Sequence, residues 1–359
     1  MNTLQASHSM KGRVGAALIV IAMVTIAAPV CAATFCVSDS VGLESALQTA
    51  QTNGEDDFIQ LAPGTYVPSA DRFQYASSEN QSLTISGGFA TASGMPPCSL
   101  QLQGAQWTRL DGAGSKIPLS VSMTGTSGSV QVDDLTVQNG AAVGFVPPLN
   151  ISGAGGWTGD ITLDRVVVRN NQTTFAVASL GTDGGIVRVR NSAFFDNASS
   201  DATGIVVALL SNHAPPGMAI LFDSNTVARN GVPATSTRAG VNVSGMAGVE
   251  LTNNIVWDNG GTDVRLSQGG SAQLDHNDIG SVGTNGVVTT TNPFHVDPKF
   301  AGPLDAQLAP TSPLRDVGLN PLSEDLGLWD AIGAARIVFG TIDVGAYEVQ
   351  DVIFADGFN

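Results

Sequence analysis

The sequence has few positive charges and few cysteines. Lys and Arg total 15 against 31 Asp and Glu, so the formal net charge of the 359 residues is −16. A chain this acidic lacks the basic surface that binds nucleic acid or anionic lipid, so we expect neither as a partner. His213, His276 and His295 do not have metal-ligand spacing. No nucleotide-binding loop, nucleophile elbow or catalytic-triad spacing occurs in the sequence.

Only one long apolar run is present, near the amino terminus. Lys11 and Arg13 precede the apolar residues 14–30, and a pair of alanines follows. This order is typical of a secretory signal peptide, so we predict removal of residues 1–33 and a secreted, periplasmic or bacterial cell-surface location. Losing Lys11 and Arg13 would change the charge from −16 to −18. A retained membrane anchor is the alternative; after cleavage we expect no membrane span.

Export leaves two cysteines. Cys36 and Cys98 form an even set in an oxidising compartment, which favours a disulfide joining the amino terminus to an early part of the fold. Two buried thiols are the alternative.

A pattern of three apolar positions occurs six times, at a first residue and at the residues two and seven further on. The six occurrences are Val130, Val132, Val137; Ile161, Leu163, Val168; Val187, Val189, Phe194; Ile220, Phe222, Val227; Val249, Leu251, Val256; and Ala272, Leu274, Ile279. Successive occurrences are offset by 31, 26, 33, 29 and 23 residues, and the internal spacing never changes. A spacing of two is strand periodicity, and such a repeat is typical of stacked coils with inward-facing columns. We predict a strand, a polar corner, a second strand and a variable loop in each unit.

Asparagines recur at the corners of these units. The first column is Asn225, Asn254 and Asn277, and the second is Asn171, Asn197, Asn230 and Asn259. Matching positions of parallel coils stack about 4.8 Å apart, so each column is predicted to form a ladder of side-chain amides. The corners are also expected to need residues that tolerate left-handed backbone angles.

Residues 34–300 resemble the right-handed parallel β-helix proteins of the pectate-lyase-like class, in which aliphatic residues stack inside and asparagines stack at a corner. The opening Leu61–Tyr66 and a predicted helix with Leu43 and Leu47 on one face also match. The resemblance implies an all-β, right-handed, single-stranded parallel β-helix with a short N-terminal capping helix and an irregular C-terminal cap. Activity does not follow, because the class includes lyases, hydrolases, epimerases, phage tailspikes and adhesins.

The periodicity ends near Gly286, and the following sequence is similar to the C-terminal region of exported choice-of-anchor Q proteins. The matching segments are Asp297–Phe300, Leu308, Ser312–Pro313, Asp316–Gly318, Asp330, Gly333, Arg336 and Asp343–Glu348. The predicted domains are therefore 1–33 (signal peptide), 34–286 (β-helix), 287–350 (choice-of-anchor Q-like region) and 351–359 (tail). Arg336 is expected to pair with Asp330 or Asp343 as a structural contact.

Charged residues immediately before the corners provide the catalytic candidates. Asp133, Asp164 and Arg190 point outward by alternation, with Arg165 beside them. Stacked Asp133 and Asp164 could hold Ca²⁺ or raise each other's pKa. The resemblance implies that a lyase would use such a cation and a base, and a glycosidase a carboxylate pair. The alternative is a solvated ion-pair row.

An aromatic row follows the second strand of each unit and provides the candidates for substrate binding. Arg169, Phe195 and Trp257 lie in this outward column and could stack sugar rings. Alternatively, loops fold over the row. We therefore expect a monomeric, non-catalytic protein that binds a polysaccharide, a cell-envelope glycan or a surface partner. The alternative function is a polysaccharide lyase or glycosidase acting on an acidic polysaccharide through the Asp/Arg patch.

Overall fold

A computed structural model describes residues 32–213, 217–246, 248–302, 305–320, 329–338 and 340–350. The predicted tail 351–359 and nearly all of the predicted signal peptide lie outside the described residues. Among the residues described, no helix has the length and apolar character needed to cross a membrane.

The described chain contains one helix, α1 (Ser40–Ala50), among thirty strands. In chain order the strands are β1 (Ala33–Val37), β2 (Asp57–Leu61), β3 (Gly64–Tyr66), β4 (Arg72–Ser77), β5 (Leu83–Ser86), β6 (Phe89–Ala90), β7 (Leu100–Gln101), β8 (Thr108–Asp111), β9 (Ile117–Met123), β10 (Val130–Gln138), β11 (Leu149–Gly153), β12 (Ile161–Arg169), β13 (Gln172–Thr173), β14 (Ala176–Thr182), β15 (Val187–Arg190), β16 (Ala193–Phe195), β17 (Ala198–Ser199), β18 (Ile205–Ser211), β19 (Met218–Asp223), β20 (Thr226–Ala228), β21 (Val241–Gly245), β22 (Gly248–Thr252), β23 (Ile255–Trp257), β24 (Val264–Gln268), β25 (Ala272–Asp275), β26 (Asp278–Ile279), β27 (Val282–Thr284), β28 (Val288–Thr291), β29 (Phe300–Gly302) and β30 (Asp305–Leu308).

Two long parallel sheets organise these strands. One sheet contains the path β1-β2-β5-β10-β12-β15-β19-β22-β25-β28, and β3, β8, β16, β20, β23 and β26 extend it beyond the corner. The other runs β4-β9-β11-β14-β18-β21-β24-β27. From β9 to β28 the chain passes repeatedly between the two sheets, and each of their strands pairs with its equivalent from the neighbouring unit, while β13 and β17 pair with each other in a separate two-stranded parallel sheet. This all-β arrangement is consistent with a parallel β-helix.

The predicted register is confirmed. Val130 pairs with Ile161, Ile161 with Val187, and so on through Val249 and Ala272, at the offsets read from the sequence. All eighteen residues of the three columns are buried. The stack of paired strands also continues past Gly286, because β28 pairs with β25.

From Val130 onward the sequence interpretation missed the third strand of each unit, which lies in the segment predicted to be a variable loop; the equivalent strand before the first unit, at residues 119–123, was predicted and is present as β9. Its inward pairs form further buried columns: Leu119 and Val121, Leu149 and Ile151, Ala178 and Leu180, Val207 and Leu209, Val241 and Val243, and Val264 and Leu266. Within each pair, the two inward residues are two positions apart, as strand alternation requires. However, the pairs lie at a variable distance from the preceding corner, so no constant spacing connects them to the repeat.

Both asparagine ladders form as predicted. Asn225 Nδ2 donates to Asn254 Oδ1 at 3.2 Å, and Asn254 Nδ2 donates to Asn277 Oδ1 at 2.9 Å. In the second ladder, Asn197 Nδ2 donates to Asn230 Oδ1 at 3.0 Å, and equivalent bonds reach Asn171 and Asn259. These amides satisfy each other and nearby main-chain groups where the strands turn.

The left-handed backbone angle falls on the residue before each ladder position, not on the ladder asparagine. At the first corner these residues are Asp134, Arg165, Asn191, Ser224, Asn253 and His276, with φ between 49° and 56°. Since Arg, Ser and His occur there beside Asn and Asp, the stacked backbone imposes this conformation on residues that rarely adopt it alone.

At the amino terminus, Asp39 caps α1 by accepting a hydrogen bond from the Gly42 amide. The predicted apolar face of the helix is buried in the core of the first strands, and it includes Leu43 and Leu47. Cys36 and Cys98 form the predicted disulfide.

The described residues between 296 and 350, which we call the C-terminal segment, do not lie over the last coil alone, where an irregular cap was expected. They run back along the side of the coils. Asn253 Oδ1 accepts from the Leu319 amide at 2.7 Å, Thr226 Oγ1 accepts from the Ala346 amide at 2.9 Å, and Ala331 O accepts from the Ala105 amide at 2.9 Å. The segment therefore covers the outer face, which we define as β16, β20, β23 and the second halves of β10 and β12.

Candidate functional site

The predicted catalytic patch lies in a buried charge network. Asp133 and Asp164 pair in register, but their exposed fractions are only 5% and 3%. Arg165 donates to both carboxylate oxygens of Asp134 at 2.8 Å and also binds Asp164. Arg190 lies 3.2 Å from the same Asp164 carboxylate. Two guanidinium groups therefore share Asp164.

The expectation that this patch is exposed is wrong, because the loop carrying β6 and β7 covers it. Asp134 accepts hydrogen bonds from the Gly104 amide at 2.6 Å and from Gln101 Nε2 at 3.2 Å. A Cβ added at Gly104 would lie 2.3 Å from the Ile332 carbonyl carbon, so the C-terminal segment packs there too. The carboxylates of Asp133 and Asp164 are therefore covered, whereas the Arg190 side chain stays partly exposed. The catalytic role of the patch stays a prediction.

Asp133 differs from the other carboxylates of the network. Burial raises its pKa to about 6, and the charge of Asp134 adds to the rise, while hydrogen bonds from Ser86 and Gln131 lower it. Its Oδ1 atom has no hydrogen-bond partner within the described part of the chain. Asp133 is therefore a carboxyl group whose protonation depends on pH near neutrality.

Two of the three predicted substrate-binding residues meet in one cleft. Arg169 and Phe195 are neighbours on paired strands, and they line a cavity of about 340 Å³ between the outer face and the C-terminal segment. The lining residues are Gln106, Arg109, Thr136, Val167, Arg169, Phe195, Asp305, Gln307, Ile332 and Tyr347. Phe195 is buried against Ala346 and Tyr347, and it does not form an open platform. We call this cavity the arginine cleft.

The arginine cleft concentrates positive charge in an acidic protein. Within the described ranges, Arg169 donates only to Gln138 Oε1, from Nε at 3.3 Å and Nη2 at 3.1 Å. The Arg109 guanidinium makes no hydrogen bond or ion pair with any residue that the structure describes. Asp305 is the single acidic residue among those lining the cleft. Two guanidinium groups thus remain available to an anionic ligand.

Tyr347 supplies a neutral hydroxyl to the arginine cleft. Burial raises its pKa above the ordinary value, and the charges of Asp305 and Asp330 act in the same direction, while Arg169 and Arg229 oppose it. The hydroxyl has no hydrogen-bond partner in the described parts of the chain. It therefore stays neutral and can donate a hydrogen bond to a ligand rather than act as a base.

Trp257, the third predicted binding residue, lies outside the arginine cleft. It is half-buried and packs beside the cluster of Ile255, Leu308, Leu314 and Val344 under the C-terminal segment. Trp257 and Arg169 belong to one outward column, but belonging to one column does not place them in one cavity.

Most residues of the arginine cleft were not predicted. Arg109 pairs with Thr136 in the strand register, but β8 precedes the regular repeat, so its column was not assigned. Asp305, Gln307 and Tyr347 have no sequence signal for this location, because their segment has no periodicity linking it to the coils.

A buried polar cluster holds the end of the C-terminal segment. Arg336 does not pair with the carboxylates of Asp330 or Asp343 as predicted. Its Nη2 instead donates to the main-chain carbonyls of Asp343 and Gly345 at 3.0 and 2.6 Å. Glu348 Oε2 accepts from the Asp343 amide at 3.0 Å, and its Oε1 has no partner in the described structure.

Carboxylate oxygens of Asp316, Asp343 and Glu348 lie within 4.8 Å of one another. Both oxygens of Asp343 already accept from main-chain amides, of Asp316 and Val349. The charge of Arg336 also acts on Asp343 and Glu348. The cluster thus acts as a structural anchor rather than an open set of cation ligands.

Replacing Glu348 with Gln is expected to flatten the pH dependence of stability. Burial raises the pKa of Glu348 from 4.5 to about 8. The folded protein therefore holds this proton while the unfolded chain has released it, so the Glu348 contribution is complete below pH 4.5 and falls as pH rises through 8. Urea titrations between about pH 6 and about pH 9 should show that the free energy of unfolding of the parent falls by a few kcal/mol over this range. The free energy of unfolding of Glu348→Gln should not show this fall. The exposed Glu250→Gln serves as control. Parallel profiles for parent and Glu348→Gln would contradict this account.

Comparison with models of protein families and with curated proteins finds no match to this chain. Its function must therefore be inferred from its own residues and their arrangement.

Proposed function

We propose that this chain is an exported, monomeric, non-catalytic protein that binds the acidic carbohydrate of a cell envelope or another polysaccharide. Its scaffold would be the right-handed single-stranded parallel β-helix of the pectate-lyase-like class, with a choice-of-anchor Q type C-terminal region. The buried columns, the asparagine ladders and the Cys36–Cys98 disulfide support this proposal. A disulfide is also compatible with an extracellular location.

The arginine cleft is the observation that carries the proposal. Its volume of about 340 Å³ lies at the low end of the range for small-ligand sites, about 300–1,000 Å³. Arg109 and Arg169 can bind a uronate carboxylate, because a guanidinium matches the geometry of a carboxylate. Gln106, Gln307 and the Tyr347 hydroxyl supply hydrogen bonds for sugar hydroxyls.

Binding is favoured over catalysis because the groups best suited to acid–base chemistry are occupied or covered. Asp164 is bound by Arg165 and Arg190, and Asp133 is buried. Inside the arginine cleft, the raised pKa of Tyr347 disfavours its use as a base. The alternative remains a polysaccharide lyase or glycosidase that uses Asp133, Asp164, Arg165 and Arg190, with Ca²⁺ as its metal.

Removing either guanidinium of the arginine cleft is expected to weaken acidic-glycan binding about tenfold or more, since a charged hydrogen bond contributes about 1.5–3 kcal/mol. Isothermal titration calorimetry would compare the parent with Arg109→Gln and Arg169→Gln, using oligosaccharides of pectin, alginate and glycosaminoglycans. Tyr347→Phe should lose less binding affinity, because it removes only one neutral hydrogen-bond donor. Arg72→Gln is the matched control, since Arg72 lies on the other long sheet and pairs with Asp71 at 2.7 Å.

The same oligosaccharides test the alternative. Absorbance of unsaturated uronate products would be followed with and without Ca²⁺. Turnover that Asp164→Ala abolishes would establish the enzyme and remove the non-catalytic proposal. Absence of binding across all three acidic glycans would also refute it.

A further inference from the structure

A second cavity lies beside Trp257, on the same outward column as Arg169. It has a volume of about 310 Å³ and is lined by Trp257, Asp258, Asp263, Gly280 and Ser281. Strand pairing places Trp257 three strands from Arg169, by way of Phe195 and Ala228. At about 4.8 Å per strand, the two residues are separated by about 14 Å. We call this space the tryptophan cavity.

The indole of Trp257 forms an aromatic wall of the tryptophan cavity. The indole also packs beside Ile255 and Leu308, which holds the ring in place. The indole N–H has no hydrogen-bond acceptor in the described regions. A ring held in this way can stack on the apolar C–H face of a sugar and donate one hydrogen bond.

Carboxylates supply the hydrogen-bond acceptors. Asp263 accepts from Asn259 Nδ2 and from Ser281 Oγ, each at 3.2 Å, which orients its buried carboxylate. Asp258 is exposed, and its side chain makes no hydrogen bond to any residue that is described. Each carboxylate oxygen has two lone pairs, so both groups can accept from sugar hydroxyls.

Gly280 keeps the tryptophan cavity open. A Cβ at this position would lie 2.6 Å from Asp263 Oδ2 and 3.9 Å from Cε3 of Trp257. Any larger residue would therefore occupy the space between the carboxylate and the indole.

The two cavities differ in charge. Among the described residues that line the tryptophan cavity, none is basic, whereas two carry carboxylates. A uronate would be repelled there, while the hydroxyls of an uncharged sugar would be bound. We propose that the tryptophan cavity is a second carbohydrate site, which takes a neutral hexose. This site is independent of the arginine cleft and does not require the acidic ligand.

The test is calorimetry and saturation-transfer NMR of the mature chain with methyl glycosides of glucose, galactose and mannose. We expect at least one of them to bind, and Trp257→Ala to weaken that binding about tenfold or more. Trp257→Phe should keep part of the affinity, because a smaller aromatic face remains. Gly280→Ala should weaken binding, because the added methyl group would clash with Asp263 Oδ2 and displace that carboxylate. Trp107→Phe, at another half-exposed tryptophan, should bind like the parent.

Arg169→Gln separates this proposal from the acidic-glycan proposal. It should leave neutral hexose binding unchanged while weakening binding of uronates. Failure of all three hexosides to bind would overturn the tryptophan cavity proposal alone. Parent-like hexoside binding by both Trp257→Ala and Gly280→Ala would overturn it as well. Uronate binding that depends on Trp257 and not on Arg169 would refute the neutral-sugar assignment.

Discussion

Replacing Val256 with Asp is expected to lower the free energy of unfolding by about 5 kcal/mol or more, which is enough to prevent stable folding. Val256 is fully buried and stacks in register between Val227 and Ile279. Gly240 limits the space around it, since a Cβ there would lie 2.9 Å from Val256 Cγ1. A carboxylate at this position would have neither water nor a cation, so it must be protonated or force the coils apart.

Urea unfolding followed by circular dichroism measures this effect. The matched control is Val287→Asp, at a residue that is 73% exposed beside β28, and its free energy of unfolding should stay within about 0.5 kcal/mol of the parent. If Val256→Asp unfolded at the same urea concentration as the parent, the inward column would be wrongly assigned.

Replacing Asn254 with Leu is expected to lower the free energy of unfolding by about 4 kcal/mol. The Asn254 side chain donates to Phe222 O at 2.7 Å and to Asn277 Oδ1 at 2.9 Å. Its Oδ1 accepts from the Asn225 amide at 2.9 Å and from Asn225 Nδ2 at 3.2 Å. Each bond contributes about 1 kcal/mol, and leucine would leave buried partners unsatisfied.

Asn285→Leu is the matched control for the ladder. Asn285 is exposed and accepts one hydrogen bond, from Arg265 at 2.7 Å. Its replacement should cost no more than about 1 kcal/mol. Hydrogen exchange should also show faster opening at the Asn225 amide in Asn254→Leu. If Asn254→Leu and Asn285→Leu lowered the free energy of unfolding equally, the asparagine ladder would add no more stability than a surface contact does.

The repeat could be read from the sequence because its signal is local and recurrent. Val137, Val168 and Val227 recur at one internal spacing, and strand alternation turns that spacing into a buried column. The asparagines of the ladders followed from the same alignment. The strands of the second sheet that follow Val130 were missed because variable connections separate residues such as Leu149 and Val241 from the repeat.

The candidate site was only partly predictable. Arg169 and Phe195 were identified because strand pairing makes them neighbours. The same reasoning placed Asp133 and Asp164 correctly on outward positions of the strands. It could not include the loop and the C-terminal segment that bury them, since neither follows the repeat.

By itself, the sequence determined the stacked strands, the inward columns and the two ladders. These depend on side-chain alternation and on one spacing repeated along the chain. The disulfide between Cys36 and Cys98 was favoured by the even number of cysteines left after export, and the structure decided between it and two thiols. Only the tertiary structure decided which outward residues stay accessible and which additional groups join them. Gln106 Nε2 donates to Ile332 O at 2.9 Å across 226 positions of sequence, and no period connects two such residues. The arginine cleft exists because the C-terminal segment folds back over the coils, and a contact of that range arises from packing rather than from any local pattern.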